Sequence, residues 1–245
     1  MRLPITAYPK KANAVVSSAC LIWTMKNRVN KSFGIITLII FFFLFSCAST
    51  QQKQIGSRDA EVYYKQGSDY LIRGQYDQAI SDLNKALEIN PRYAEAYNDR
   101  GLAYTGKVQY DQAILDLNKA IEINPRLAIA YLNRGIAYWY KGQYDRAISD
   151  YTKALGIDPK DAMAYYNRGI AFADKGQYDR AISDYTKALE INPKDAVAYN
   201  NRGVAYYLKR EYEKSWEDVK KAQSLGYQIH PKFLDDLRKA SGRQN

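Results

Sequence analysis

Between residues 60 and 229, apolar and small side chains recur at helical spacing, and the whole pattern repeats every 34 residues. With each unit numbered from 1 to 34, positions 4, 8 and 11 hold an aromatic residue, a glycine and an aromatic residue, which places them on one face of a first helix. Small or apolar residues at positions 20, 24 and 27 have the same helical spacing and predict a second helix. The pattern therefore predicts five helix-turn-helix units. They begin at alanines and span 60–93, 94–127, 128–161, 162–195 and 196–229.

Other fixed positions predict how the two helices of a unit pack and end. Glycine at position 8 and alanine at position 27 remove side-chain bulk, so we expect two antiparallel helices in close contact. Glycine at position 15 favours the left-handed backbone that ends the first helix, and proline at position 32 ends the second. Aspartate at position 23 and lysine at position 26 are three residues apart, so we expect outer-face ion pairs. These predicted pairs are Asp82/Lys85, Asp116/Lys119, Asp150/Lys153 and Asp184/Lys187.

Two adjoining units, 128–161 and 162–195, are identical at 27 of 34 positions. Because the copies agree so closely, the 7 positions that differ show where the two units have diverged. Five of these differences lie on the first helix, and four of those five fall at positions 2, 5, 12 and 13. The seven pairs are Ile129/Met163, Leu132/Tyr166, Tyr138/Phe172, Trp139/Ala173, Tyr140/Asp174, Gly156/Glu190 and Asp158/Asn192.

The repeated pattern resembles the tetratricopeptide repeat family. The resemblance rests on aromatic residues at positions 4, 11 and 17, glycine at 8, alanine at 20 and 27 and proline at 32, and it covers 170 of the 245 residues. It implies an all-α fold, a right-handed α-solenoid of five 34-residue helix-turn-helix repeats. In this family a concave surface, lined by first-helix positions 2, 5, 6, 9, 12 and 13, binds partner proteins.

The predicted concave groove is rich in apolar and aromatic side chains, and four of the seven differences between the twin units fall on it. Drift on an exposed stripe is the alternative explanation for those differences. Family members that grip a C-terminal carboxylate use lysine at position 5 and asparagine at position 9, which this chain lacks. We therefore expect a partner peptide or helix with apolar side chains. The predicted groove residues are Tyr64, Asn98, Asp99, Leu102, Leu132, Asn133, Ile136, Trp139, Tyr140, Met163, Tyr166, Asn167, Ile170, Asn201, Val204 and Tyr207.

A capping helix is predicted in the C-terminal segment 230–245. Pro231 opens this helix, and Phe233, Leu234 and Leu237 share the spacing of one helical face. We expect these side chains to cover the exposed end of the fifth unit, because the terminal faces of repeat arrays need a polar cap.

The residue types argue against an enzyme. The chain has one histidine, His230, and two cysteines, Cys20 and Cys47, both of which precede the repeats. This leaves no residue set for histidine-based catalysis or for a metal site. Residues 101–107 match the spacing of a phosphate-binding loop, but Val108 stands where Ser or Thr is needed, and the match lies within a predicted helix. We expect no enzymatic activity, no cofactor and no metal.

The positive charge of the chain is concentrated at its N-terminus. The formal net charge is +10, but residues 1–46 hold six cations and no acid, so the remaining residues carry only about +4. The repeat lysines also have acids beside them. The charge pattern therefore predicts no nucleic-acid partner.

The N-terminal segment has the features of a bacterial lipoprotein leader. The cations Lys26, Arg28 and Lys31 precede a short apolar run over residues 35–45. The following residues 44–47, Leu-Phe-Ser-Cys, resemble the lipobox of bacterial lipoproteins, which implies that Cys47 is lipidated and becomes the first residue of the mature chain. Residues 1–46 are then the predicted signal peptide, with Met25 as the true start and a spurious extension before it. Residues 47–59 are a predicted flexible tether.

These observations predict a non-enzymatic protein–protein interaction scaffold that is lipid-anchored in the bacterial cell envelope. Ala48, rather than an aspartate, follows the cysteine, which in enteric bacteria indicates the outer membrane, facing the periplasm. Assembly of an envelope machine is one process that such a scaffold fits, since lipoproteins of this architecture include pilus-assembly pilotins. The alternative is a repeat-protein adaptor that faces the cytoplasm and is held by an uncleaved signal anchor.

Overall fold

A computed structural model of the protein describes residues 58–243, which are helical and contain no strand. The predicted signal peptide, the proposed start at Met25, the lipidation site Cys47 and nearly all of the predicted tether lie outside the described residues. Within residues 58–243, no helix is long and apolar enough to cross a membrane. The part of the chain that the structure describes belongs to one compact unit.

Eleven helices follow one another in residues 58–243, and the first ten form five antiparallel pairs. The all-α repeat fold predicted from the sequence is confirmed. The helices are α1 (58–72), α2 (Tyr76–Ile89), α3 (Ala94–Gly106), α4 (Tyr110–Ile123), α5 (Ala128–Tyr140), α6 (Tyr144–Ile157), α7 (Ala162–Asp174), α8 (Tyr178–Ile191), α9 (Ala196–Leu208), α10 (Tyr212–Ser224) and α11 (Pro231–Ser241).

The close approach of the two helices in a pair depends on glycine at position 8. A Cβ atom added to Gly135 would lie 2.5 Å from Cε1 of Tyr151, and one added to Gly169 would lie 2.7 Å from Cε1 of Tyr185. Both tyrosines are fully buried against these glycines. Since such a distance is well inside van der Waals contact, a larger residue at position 8 would force the helices apart.

The turn between the helices of a pair places position 15 in the left-handed region. Gly74, Gly142 and Gly176 have φ angles of 69°, 70° and 71°, which confirms their predicted capping role. Val108 and Arg210 adopt the same conformation, with φ angles of 62° and 64°, although neither is a glycine. The turn geometry is therefore kept even where the side chain disfavours it.

The predicted ion pairs between positions 23 and 26 are correct only in the first unit, where Lys85 donates to Asp82 at 2.7 Å. In later units the aspartate instead accepts two hydrogen bonds from an arginine at position 7 of the first helix. Arg134 donates to Asp150 through Nε and Nη2, both at 2.7 Å, and through Nη1 to Asn118 of the preceding unit at 2.6 Å. The first unit has Gln66 at position 7, which explains why Asp82 keeps its local lysine. The equivalent ion pairs are Arg100–Asp116, Arg168–Asp184 and Arg202–Asp218.

A second set of ion pairs joins neighbouring units at their turns. The lysine that follows each first helix pairs with the aspartate that begins the second helix of the preceding unit. These pairs are Lys107–Asp77, Lys141–Asp111, Lys175–Asp145 and Lys209–Asp179. Because each pair is largely exposed, it fixes the register of adjacent units more than it adds to stability.

Helix α11 covers the apolar end of the fifth pair, as the sequence predicts. Leu237 is fully buried, in a cluster that includes Val219 and Ala222 of α10. The ring of Phe233 meets that of Tyr207 edge to face, with the ring centres 5.5 Å apart. At the other end of α11, the indole Nε1 of Trp216 donates to the Ser241 hydroxyl at 3.0 Å.

Candidate protein-interaction groove

The first helices line the inner side of the array. Helix α3 contacts α5, α5 contacts α7, and α7 contacts α9. Each second helix packs instead between the first helix of its own pair and that of the next. Because neighbouring first helices come close enough to touch, their shared surface is the concave face, and the second helices lie outside it.

Most of the predicted groove residues lie at this inner surface. Tyr140 and Met163 are the most accessible, with 54% and 58% of their surfaces exposed. The others at the surface are half-buried, so that a ligand would meet the ends or one side of each side chain. These half-buried residues are Tyr64, Asp99, Leu102, Ile136, Trp139, Tyr166, Asn167, Ile170, Asn201, Val204 and Tyr207.

Three predicted groove residues, Leu132, Asn98 and Asn133, are not accessible, and their assignment as ligand contacts is wrong for this structure. Leu132 is only 1% exposed and belongs to the apolar core with Tyr151. Asn98 and Asn133 are both 5% exposed, because their amides bond to each other between α3 and α5. At position 5 the two tyrosines, Tyr64 and Tyr166, are half-buried and reach the surface, whereas Asn98 and Leu132 are buried.

Position 5 of one unit and position 6 of the next form a row of hydrogen bonds along the groove floor. The amide of Asn133 donates to Oδ1 of Asn98 at 3.0 Å, and that of Asn201 donates to the Tyr166 hydroxyl at 2.9 Å. The row of hydrogen bonds is interrupted between the third and fourth units, because Leu132 occupies position 5 there and its side chain has no polar atom to bond to Asn167. Within residues 58–243, no side chain hydrogen bonds to the Asn167 amide, which is therefore the member of this row that is available to a ligand.

A half-buried carboxylate lies at the first-unit end of the groove. Asp99 accepts a hydrogen bond of 2.5 Å from the Ser68 hydroxyl and one of 3.1 Å from the Asn98 amide. Burial raises the pKa of Asp99 above its usual range, although these neutral donors favour its charged form. The ring centre of Tyr64 lies 4.7 Å from that of Tyr93, and burial raises the pKa of Tyr93 to about 12.

The middle of the groove contains an aromatic cluster that joins the twin units. The indole Nε1 of Trp139 donates to Oδ2 of Asp174 at 2.6 Å. The Trp139 ring also meets the Tyr140 ring edge to face, with centres 4.9 Å apart. Tyr140 stacks on Tyr110 of the preceding unit at 5.2 Å and an interplanar angle of 4°. Asp174 was not among the predicted groove residues, although it is one of the seven differences between the twin units.

The arrangement explains part of the divergence between the twins. Trp139 and Tyr140 of one unit differ from Ala173 and Asp174 of the next, and the structure brings the tryptophan of the first into contact with the aspartate of the second. A Trp–Tyr pair in both copies would place a tyrosine opposite Trp139 in place of the carboxylate, and an Ala–Asp pair in both would remove the indole donor. The differences at positions 12 and 13 therefore serve packing between the units as well as the open surface.

A cavity of about 370 Å³ opens at the turn between α5 and α6, away from the groove floor. It is lined by Gly142, Gln143, Tyr144, Asp145, Arg146 and Lys175. Lys175 and Asp145 are paired with each other there. Within residues 58–243, no group of three or more His, Cys, Asp or Glu side chains is placed to hold a metal ion.

The repeats match known family models. Models described as tetratricopeptide repeat or TPR repeat match residues 67–108, 109–142, 132–196 and 184–217, which together extend over residues 67–217. The chain belongs to the tetratricopeptide repeat family. Proteins of this family are generally protein-interaction scaffolds and are typically not enzymes.

Solved structures of TPR proteins resemble the chain over most of their length. The crystal structure of MamA protein is 26% identical, with a TM-score of 0.60, covering 70% of this chain and 97% of that one. YrrB, described as a TPR protein with an unusual peptide-binding site, is 24% identical, with a TM-score of 0.58, over 79% of this chain and 97% of that one. PilF of Pseudomonas aeruginosa is 22% identical, with a TM-score of 0.67, covering 76% of this chain and 89% of that one. No curated protein sequence matches the chain significantly.

Proposed function

We propose that this TPR protein is a non-enzymatic scaffold that holds one partner protein, as a peptide or helix, on its concave face. The observation that supports this most strongly is the concentration of accessible apolar side chains along the first helices. Met163, Val197 and Ile129 are 58%, 41% and 43% exposed at position 2 of successive units, and Tyr140 is 54% exposed at the other end of its helix. Such a row of apolar anchors suits an extended or helical segment.

The amide of Asn167 adds a polar contact at the centre of this surface. Ile136 of the preceding unit and Ile170 of the same unit are half-buried at position 9 of adjacent first helices. An amide that is free to donate and accept can bond to the backbone of a bound segment, while neighbouring apolar side chains take the segment's own apolar groups. The likeness to a peptide-binding protein such as YrrB agrees with this proposal.

Two double variants of the full chain test the concave-face proposal. Met163→Gln with Val197→Gln removes apolar surface from the first helices, while Leu115→Gln with Ile191→Gln removes similarly exposed apolar surface (68% and 41%) from second helices. We expect about a tenfold loss of partner capture, roughly 1.4 kcal/mol, for the first variant only. The measurement is quantitative mass spectrometry of proteins co-purified with each chain from its own host. Equal capture by both variants would contradict the proposal.

We also propose that the scaffold is lipid-anchored at Cys47 in the bacterial cell envelope, at the outer membrane and facing the periplasm. The cations and the short apolar run precede this cysteine, the lipobox-like tetrapeptide ends at it, and residues 47–59 form the predicted tether to the repeats. Several acyl chains on one residue would hold the chain on a membrane stably, which one chain alone does only weakly.

Metabolic labelling tests the anchor. With a radiolabelled fatty acid, wild type should incorporate label and Cys47→Ser should incorporate none, while Cys20→Ser should behave as wild type because that cysteine precedes the predicted cleavage site. Equal labelling of wild type and Cys47→Ser would contradict lipidation. It would favour the alternative, an uncleaved signal anchor that leaves the repeats in the cytoplasm.

A further inference from the structure

We propose that Asp174, Trp139 and Tyr140 form a recognition point for a lysine or arginine side chain of the bound partner. This inference rests on the proposed function, because it assigns a chemistry to the occupant of the same groove. The occupant is then a segment that carries a cation beside apolar side chains. We call these three residues the cation corner.

The carboxylate of Asp174 is exposed and has no cationic partner within residues 58–243. Its Oδ2 atom accepts the hydrogen bond from Trp139 at 2.6 Å, which holds the carboxylate in place and leaves Oδ1 free. The adjacent cation, Lys175, is paired with Asp145 instead. By contrast, the aspartates at position 18, in the first turn of the second helices, and at position 23 each have a lysine or arginine partner.

The position of Asp174 is unfavourable for an acid that lacks a partner. It is the last residue of α7, where the helix dipole presents its negative end and favours a cation. The equivalent residues at position 13 in the other units carry no charge: Ile72, Gly106, Tyr140 and Leu208. A cation supplied by a partner would be stabilised by the carboxylate and by the dipole together.

Aromatic surface beside Asp174 is open to a cation. Tyr140 is stacked on Tyr110 and in a T-shaped contact with Trp139, yet 54% of its surface stays exposed. Within residues 58–243, lysine and arginine side chains lie over rings at positions 4 and 11 and over Trp216, but none lies over Trp139 or Tyr140. Tryptophan and tyrosine are the rings that attract cations most strongly.

The charge of the whole concave face agrees with a cationic occupant. Its six positions in five units hold four acids, Glu61, Glu95, Asp99 and Asp174, and one base, Lys65, for a net charge of −3. Lys65 is paired with Glu61 at 2.8 Å. The face is therefore negative in a chain whose formal net charge is +10, so it repels acidic segments and attracts basic ones.

The corner is tested first with a small probe, n-butylammonium chloride, which reproduces the end of a lysine side chain. The chain in detergent micelles, labelled with ¹⁵N-tryptophan, gives indole signals that include those of Trp139 and Trp216, and the Trp139→Phe variant identifies the signal of Trp139. We expect a saturable shift of the Trp139 signal with n-butylammonium, none with n-butanol, and loss of the shift in Asp174→Asn. The conservative asparagine keeps an acceptor for the indole and removes only the charge. An unchanged response in Asp174→Asn, or none in wild type, overturns the proposal.

A peptide pair separates this inference from the function on which it rests. Two fluorescent peptides of leucine and phenylalanine differ at one central residue, lysine or its uncharged isostere norleucine. We expect the lysine peptide to bind the full chain about fivefold more tightly at low salt, with the advantage lost in Asp174→Asn. If both peptides bind equally, the cation corner is wrong and the apolar groove stands. If neither binds, both proposals are wrong.

Discussion

At the scale of single residues, position 15 shows how strongly the repeat imposes its backbone on the sequence. Three units use glycine there, whereas Val108 and Arg210 adopt the same left-handed conformation. Glycine costs nothing sterically at a positive φ, while a β-branched residue is strained there. Val108 is 69% exposed, so packing of its side chain does not offset that strain.

We expect Val108→Gly to stabilise the protein by about 0.5–1 kcal/mol, because removing a left-handed strain of roughly 1–2 kcal/mol outweighs the extra chain entropy of glycine. The matched variant Gly142→Val places the same side chain in the same turn of the next unit and should destabilise by a similar amount. Thermal midpoints from circular dichroism measure both. A lower midpoint for Val108→Gly would show that Val108 makes a stabilising contact that outweighs its strain.

Residue-level properties of the groove were only partly predictable. The exposure of Met163 and Tyr140 follows from helical periodicity, because positions 2 and 13 face away from the second helix. The burial of Leu132 does not follow from helical periodicity, because it depends on how closely two first helices from different units approach each other. The contact between Trp139 and Asp174 is likewise invisible to a single-helix pattern, since it joins residues 35 apart. The signal that could have found it was the paired divergence at positions 12 and 13.

At the scale of helices and their pairs, the fold was predictable from sequence, and the ion pairs were not. Glycine at position 8 and alanine at positions 20 and 27 determine where two helices touch, so their periodicity predicts the antiparallel pair. Arg134 and Asp150 are 16 residues apart, on different helices, and local spacing rules compare only neighbours on one helix. One sequence feature could have indicated these ion pairs: arginine recurs at position 7 in the same four units whose aspartate at position 23 is buried.

We expect Arg134→Met to destabilise the protein by about 3 kcal/mol, because it leaves Asp150, which is 3% exposed, as a buried carboxylate without its partner. Adding Asp150→Leu to this variant should recover most of the loss, since apolar residues then replace both charges. The control Lys153→Met removes an exposed cation and should change stability by less than about 0.5 kcal/mol. Chemical denaturation of the three variants provides the comparison. A large effect of Lys153→Met would favour the local pair with Asp150 that the sequence predicts.

At the scale of the whole array, each unit is held by its neighbours rather than by a single core. The described residues form a series of apolar clusters, each shared between adjacent units, and the ion pairs at the turns repeat from one unit to the next. Stability in such arrays is approximately a sum over units and their interfaces, which is why the last unit needs the apolar side of α11 as a cap. This organisation leaves the inner face free for a partner along its whole length.

In the proposed function, the partner lies on this inner face and not on the outer one. Photo-crosslinking in the native host tests it most directly, with p-benzoylphenylalanine placed either at Met163 on the first helix or at Leu115 on a second helix, two sites that are 58% and 68% exposed. We expect Met163 to give a discrete crosslinked partner upon irradiation and Leu115 to give none. A discrete adduct at Leu115, with none at Met163, would contradict this placement of the partner.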